Sequence, residues 1–147
     1  MRKPIVAVAV ALGLPLAAAS PAAADATYHT QRIPLLALGD APGGGAVVNA
    51  HANGPVSYAH EIYTLQHAVP GTYEVVLNVY PSSLDCTGAP LTLITAQFDT
   101  NPAGNGQADT KFSPADVGGL SGSTVSAQWT VNGPATYQSD CSEITLD

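Results

Sequence analysis

The sequence contains few basic side chains: four Lys and Arg among 147 residues, against eleven Asp and Glu. Two of the four, Arg2 and Lys3, lie at the amino end, which leaves Arg32 and Lys111 for the rest of the chain. Binding to nucleic acid or to an anionic membrane surface depends on cations. We therefore expect neither kind of partner. The net charge of −7 favours solubility, with attraction to cations or basic partners as the alternative.

Long apolar runs are also scarce, since the only one covers residues 5–16. It follows Arg2 and Lys3 and precedes two A-x-A sites, at residues 22–24 and 24–26. This order is typical of a secretory signal peptide, and the run is too short to span a membrane. We predict a signal peptide at residues 1–26 and a single domain at residues 27–147, secreted by the general secretory route without a membrane anchor. Which site is cleaved stays open.

Cysteine occurs only at Cys86 and Cys141, both in the predicted exported part. An even number of cysteines in an oxidising compartment is typical of a disulfide. The alternative is a redox-active pair, but the Cys-x-x-Cys spacing that lowers a thiol pKa is missing. The sequence therefore predicts a structural disulfide between these two residues.

The rest of the chain is rich in short runs of alternating apolar and polar residues, separated by Gly, Pro and Asn turns. We predict an all-β fold, an antiparallel β-sandwich of about seven to eight strands, immunoglobulin-like in architecture and held by one disulfide. Ser113–Asp116 predicts a single helical turn. In residues 124–131, Ser126 and Gln128 are expected to face water. The predicted strands cover residues 32–38, 46–52, 57–65, 73–80, 91–98, 105–112, 124–131 and 136–146.

Two segments contain candidate metal ligands. His51 and His60 lie in neighbouring predicted strands joined by a turn at residues 53–55, and His67 follows. Their spacing is not diagnostic of zinc or copper, and ordinary strand histidines are the alternative. Asp99 and Asn101 begin a segment similar to a calcium loop that lacks two of the required ligands. A Gly-rich hairpin loop explains that segment better, so we expect no cofactor.

Motifs for catalysis are missing. The chain has no Gly-x-Ser-x-Gly segment and no phosphate-binding glycine loop followed by Lys. Glu61, Glu74 and Asp85 are carboxyls that a glycosidase could use, but nothing in the sequence selects them. We expect a secreted, non-enzymatic protein that binds an extracellular ligand or partner or has a structural role. The alternatives are an enzyme with a site built from scattered residues and a weak metal-binding module.

Several segments support a resemblance. The chain resembles small exported proteins of actinomycete bacteria, which have no assigned activity, in residues 49–55, 73–81, 99–106 and 137–141 together with Cys86. It is also loosely similar to neocarzinostatin-type β-sandwiches in its turn-bounded strands and glycine-rich hairpin. Those proteins have two disulfides and this chain can make one, so the similarity implies no ligand.

Overall fold

A computed structural model describes residues 29–51, 59–120 and 123–146, and these ranges contain nine β-strands. The predicted signal peptide at residues 1–26 and the turn at residues 53–55 lie outside them. No helix in the described ranges is long and apolar enough to cross a membrane. A four-residue helix, α1 (Pro114–Val117), and a 3-10 turn (Gly118–Leu120) precede the seventh strand. The strands are β1 (His29–Ala37), β2 (Gly44–His51), β3 (Ala59–Gln66), β4 (Thr72–Tyr80), β5 (Leu91–Asp99), β6 (Gly106–Phe112), β7 (Ser123–Asn132), β8 (Thr136–Gln138) and β9 (Ser142–Leu146).

All strand pairs in the described ranges are antiparallel and belong to one sheet. The hydrogen-bonded order is β5-β4-β7-β8-β1-β2-β3-β6, and β9 pairs with the first half of β7. The predicted all-β antiparallel class is thus confirmed. The sheet curls into a nearly closed, barrel-like form, and the predicted sandwich with immunoglobulin-like architecture is not confirmed. Alternate residues of β3, β4 and β7 point inward and form the core.

Two details of the strand prediction are wrong. The single strand expected at residues 136–146 is two strands, β8 and β9, because the chain leaves the sheet at residues 139–141. Ser126, expected to face water, is buried. Its hydroxyl donates to the carbonyl of Ser83 and accepts from the N–H of Cys86, since the β4–β5 loop covers this part of β7.

The disulfide between Cys86 and Cys141 is confirmed, with the two Cα atoms 5.7 Å apart. It joins the β4–β5 loop to the residue that precedes β9, across a sequence separation of 55. Restricting the unfolded chain over a loop of this length contributes about 4 kcal/mol in the chain-entropy model. The bond therefore holds the last strand against β7.

The sheet is open between its two end strands, β5 and β6. These strands are consecutive, but β5 pairs only with β4 and β6 only with β3 in the described ranges, so the expected hairpin between them is wrong. The Thr110 hydroxyl donates to the Thr95 carbonyl and bridges the gap at one point. Toward Leu91 and Phe112 the two strands leave an opening, which is where the candidate site lies.

Candidate functional site

The interior is packed differently at the two ends of the sheet. At the end near the β5–β6 loop, the ring of Tyr73 lies 6.1 Å from that of Phe98 and 5.9 Å from that of Tyr137. The hydroxyls of Tyr73 and Tyr137 donate to backbone carbonyls of Val69 and Pro42, at 2.6 and 2.8 Å. Aromatic side chains therefore fill this end, and the free space lies at the other.

Glu61 occupies the middle of the interior. Alternation along β3 points Ala59, Glu61, Tyr63 and Leu65 inward together, and Glu61 is 2% exposed. Three neutral groups donate to it: the Tyr63 hydroxyl at 2.6 Å, the Trp129 indole N–H at 2.9 Å and the Asn49 amide at 2.7 Å. These donors come from β3, β7 and β2, so the carboxyl connects three strands of the sheet.

Burial sets the acid–base properties of this group. It raises the pKa of Glu61 above the ordinary 4.5, and the three donated hydrogen bonds offset that effect only in part. Burial, together with the neighbouring Glu61 charge, also raises the pKa of Tyr63. Tyr63 therefore stays a neutral hydrogen-bond donor to the carboxyl throughout the physiological range.

A pocket of about 230 Å³ lies beside Glu61. Its wall is mostly apolar, and the polar side chains that the described residues contribute to it are those of Asn49, Glu61, Thr92 and Asp116. An engineered apolar cavity of about 150 Å³ is large enough for benzene. The pocket therefore has room for a small ring system or a short alkyl chain. The apolar lining residues are Ala59, Leu77, Val79, Leu91, Leu93, Phe112, Leu120, Val125, Ala127 and Ile144.

The mouth of the pocket is marked by two exposed leucines of β5. Leu91 and Leu93 lie opposite the inward-facing Val79 and Leu77 of β4, yet they are 54% and 41% exposed. A side chain that points inward and still contacts solvent is left uncovered by the described part of the chain. The gap between β5 and β6, with Leu120 and Asp116 at its border, therefore connects the pocket to solvent.

A branch of polar side chains leads from Glu61 toward the start of β1. The Asn49 side-chain oxygen lies 2.9 Å from His51 Nδ1, and the His51 ring stacks on His29 with centroids 5.4 Å apart. Both rings border a shallow cleft between β1 and β9, which Gln31 bridges by donating to the Glu143 carbonyl at 3.1 Å. The buried side chain of Asn49 thus contacts His51 through its oxygen and donates to Glu61 through its nitrogen, and the first contact helps to orient the second.

The histidines proposed as metal ligands are not brought together. His51 lies opposite Ala59 and points inward, whereas His60 points outward and contacts the Asp109 carboxylate at 3.0 Å. His67 is exposed in the loop after β3. Within the described residues, no group of three or more His, Cys, Asp or Glu side chains is arranged to hold a metal ion.

The calcium-like segment uses its oxygens to shape a loop. Asp99 accepts from the Thr72 hydroxyl, and Asn101 accepts the backbone N–H groups of Ala103 and Asn105, at 2.9 and 3.0 Å. These contacts turn the chain between β5 and β6. The loop thereby connects the two ends of the sheet.

The sequence offered one signal for Glu61 that motif-based reasoning does not use. It shares the alternation of Tyr63 and Leu65, so its position in β3 places it inside the sheet. Glu74 and Asp85, the other two carboxyls considered, lie on the outer face of β4 and in the exposed β4–β5 loop. Comparisons with models of protein families, with curated proteins and with solved structures found no match.

Proposed function

We propose that this protein is a secreted, non-enzymatic binding protein that holds a small, largely apolar molecule in the pocket beside Glu61. One observation carries the proposal: the apolar pocket opens through inward-facing leucines that the sheet leaves exposed. Burying those leucines against a ligand removes apolar surface from water, at about 25 cal/mol per Å². Pockets with mostly apolar walls and a few polar groups are typical ligand sites.

Secretion forms part of the proposal and is supported by three features. The first 26 residues have the composition of a signal peptide. The Cys86–Cys141 disulfide is compatible with an oxidising compartment. The resemblance to small exported actinomycete proteins favours the same location.

A titration with a neutral aromatic probe, naphthylmethanol, tests the binding function by calorimetry. Wild-type protein should bind one equivalent. Ala127 is fully buried and lines the pocket, so Ala127→Leu should fill the space and weaken binding about tenfold or more. Absence of binding to the wild type, or equal binding to the filled variant, would overturn the proposal.

A pair of neighbouring substitutions keeps the test independent of core packing. Leu93 lines the mouth, whereas Ile94, the next residue, is 68% exposed and is not part of the pocket wall. Leu93→Ser should weaken probe binding about fivefold, while Ile94→Ser should leave it unchanged. Equal effects of the two variants would contradict a site at this mouth.

A further inference from the structure

We infer that the ligand of this pocket carries a protonated amine, which pairs with the carboxylate of Glu61. The inference rests on the proposed binding function and goes beyond it by naming the ligand's charge. Its first support is the sign of the lining charges. Among the described residues, the ionisable groups in the wall are the two acids Glu61 and Asp116, and the Arg and Lys side chains, Arg32 and Lys111, are exposed elsewhere.

The second support is the hydrogen bonding of Glu61. Each of the three groups that contact its oxygens is a neutral donor, so the surroundings suit a carboxylate acceptor. A carboxylate has about four acceptor positions, so three donors leave capacity for one more. Since Glu61 also borders the pocket, a ligand can provide the donor that completes the set.

The third support is the cost of burying an isolated charge. A carboxylate that leaves water is stabilised best by a cation, and neutral donors replace that stabilisation only in part. The direction of the Glu61 pKa shift agrees with an acid that lacks such a cation. An ammonium group in the pocket would supply it, while the apolar body of the same molecule would contact Leu77, Val79 and Leu93.

Size and overall charge restrict the ligand further. With about 230 Å³ available, the apolar part is limited to one or two rings or a short chain. The net charge of −7 attracts a cation and repels an anion before contact. The chemical class is therefore a small aryl or alkyl amine.

Three probes of nearly equal shape test the inference: naphthylmethylammonium, naphthylmethanol and naphthoate. Wild-type protein should bind the ammonium about tenfold or more tightly than the alcohol, because hydrogen bonds between charged partners are the stronger kind. Naphthoate should bind most weakly of the three. Equal affinity for ammonium and alcohol would overturn the inference while leaving the binding function intact, whereas binding of none of the probes would overturn both.

Two carboxyl substitutions locate the interaction. Glu61→Gln keeps the size of the side chain and should weaken ammonium binding about tenfold, with alcohol binding changed less than about threefold. Glu74 lies on the outer face of β4 and is not part of the pocket wall, so Glu74→Gln should change ammonium binding less than about threefold. A loss in Glu74→Gln as large as that in Glu61→Gln would contradict the assignment. If Glu61→Gln fails to fold, the comparison of the three probes on the wild type decides the question.

Discussion

At the level of single residues, the interior is organised around one carboxyl group. Glu61 connects β2, β3 and β7 through its hydrogen bonds with Asn49, Tyr63 and Trp129. Removing one partner from such a network leaves a buried polar group without its bond, at a cost of about 1–3 kcal/mol. The same group lies beside the pocket, so the fold and the candidate site depend on one side chain.

The raised pKa of Glu61 predicts how stability changes with pH. Above about pH 4.5, the unfolded chain loses this proton first while the folded protein retains it. The folded state therefore binds more protons, and its free energy of unfolding falls as the pH rises through this window. Urea denaturation at a series of pH values measures the slope, and Glu61→Gln should remove this contribution.

Neighbouring ionisable groups do not mimic this effect. Asp116, which faces the same pocket, has a pKa held below its ordinary 3.8 by hydrogen bonds from Ser113, so its contribution is lost as the pH falls. Burial raises the pKa of Tyr73 to about 12, so Tyr73 changes the free energy of unfolding only at alkaline pH, far from the window of Glu61. Asp116→Asn provides the control, since it removes only a contribution of the opposite sign and should keep the fall in stability above about pH 4.5. An unchanged slope in Glu61→Gln would contradict the prediction.

At the level of elements, the irregularity of β5 creates the mouth. Thr95 is an extra residue in the β4–β5 ladder, because Val75 pairs with Ala96 and Val76 with Ile94. Bulges of this kind increase the local twist and bend a strand. The bulge lies at the point where Thr110 bridges to β5, and the pocket-lining Leu91 and Leu93 lie beyond it. The extra residue Thr95 therefore determines where along β5 the opening begins.

The loop that connects the two ends of the sheet depends on Gly104. This residue has a φ of 75°, and a Cβ atom there would lie 2.0 Å from the carbonyl oxygen of Ala68. Ala68 also donates its N–H to the Gly104 carbonyl, so the two segments cannot separate freely. We expect Gly104→Ala to destabilise the protein by about 3 kcal/mol or more, because the left-handed conformation and the close contact add.

Gly88 provides a matched control for this substitution. Its φ of 92° is also positive, but a Cβ atom would meet nothing within 4 Å. Gly88→Ala should therefore cost only about 1–2 kcal/mol, from the backbone conformation alone. Chemical denaturation of both variants gives the comparison, and equal losses would show that the contact with Ala68 is unimportant.

Local features of the chain were predictable where the alternation was regular, as in β4 and, apart from the buried Ser126, in β7. The disulfide was predictable because only two cysteines were available. The closure of the sheet was not, since it depends on β8 pairing with β1 and on β3 pairing with β6, contacts between distant segments that the alternation does not specify. The pocket could not be predicted for the same reason. The inward position of Glu61 followed from the alternation, but its three donors come from strands whose neighbours were unknown.

At the level of the whole molecule, the charge has two parts with different surroundings. Most acidic side chains are exposed and act together as a diffuse negative field, while Glu61 is buried beside the pocket. Salt weakens the first kind of interaction far more than the second, because exposed charges are screened over a Debye length of about 10 Å at 0.1 M salt and about 3 Å at 1 M. Salt dependence therefore separates attraction by the surface from pairing inside the pocket.

This difference predicts the salt dependence of amine binding. Between about 0.1 and about 1 M NaCl, the affinity for naphthylmethylammonium should fall by less than about fivefold, because the pairing with Glu61 is shielded from ions. The preference for the ammonium over the alcohol should persist in wild-type protein at high salt and should be lost in Glu61→Gln. Calorimetric titrations at each salt concentration measure both quantities. If high salt removed the preference in the wild type, the amine would be held by the exposed acidic surface, and Glu61 would be left as a structural connection among β2, β3 and β7.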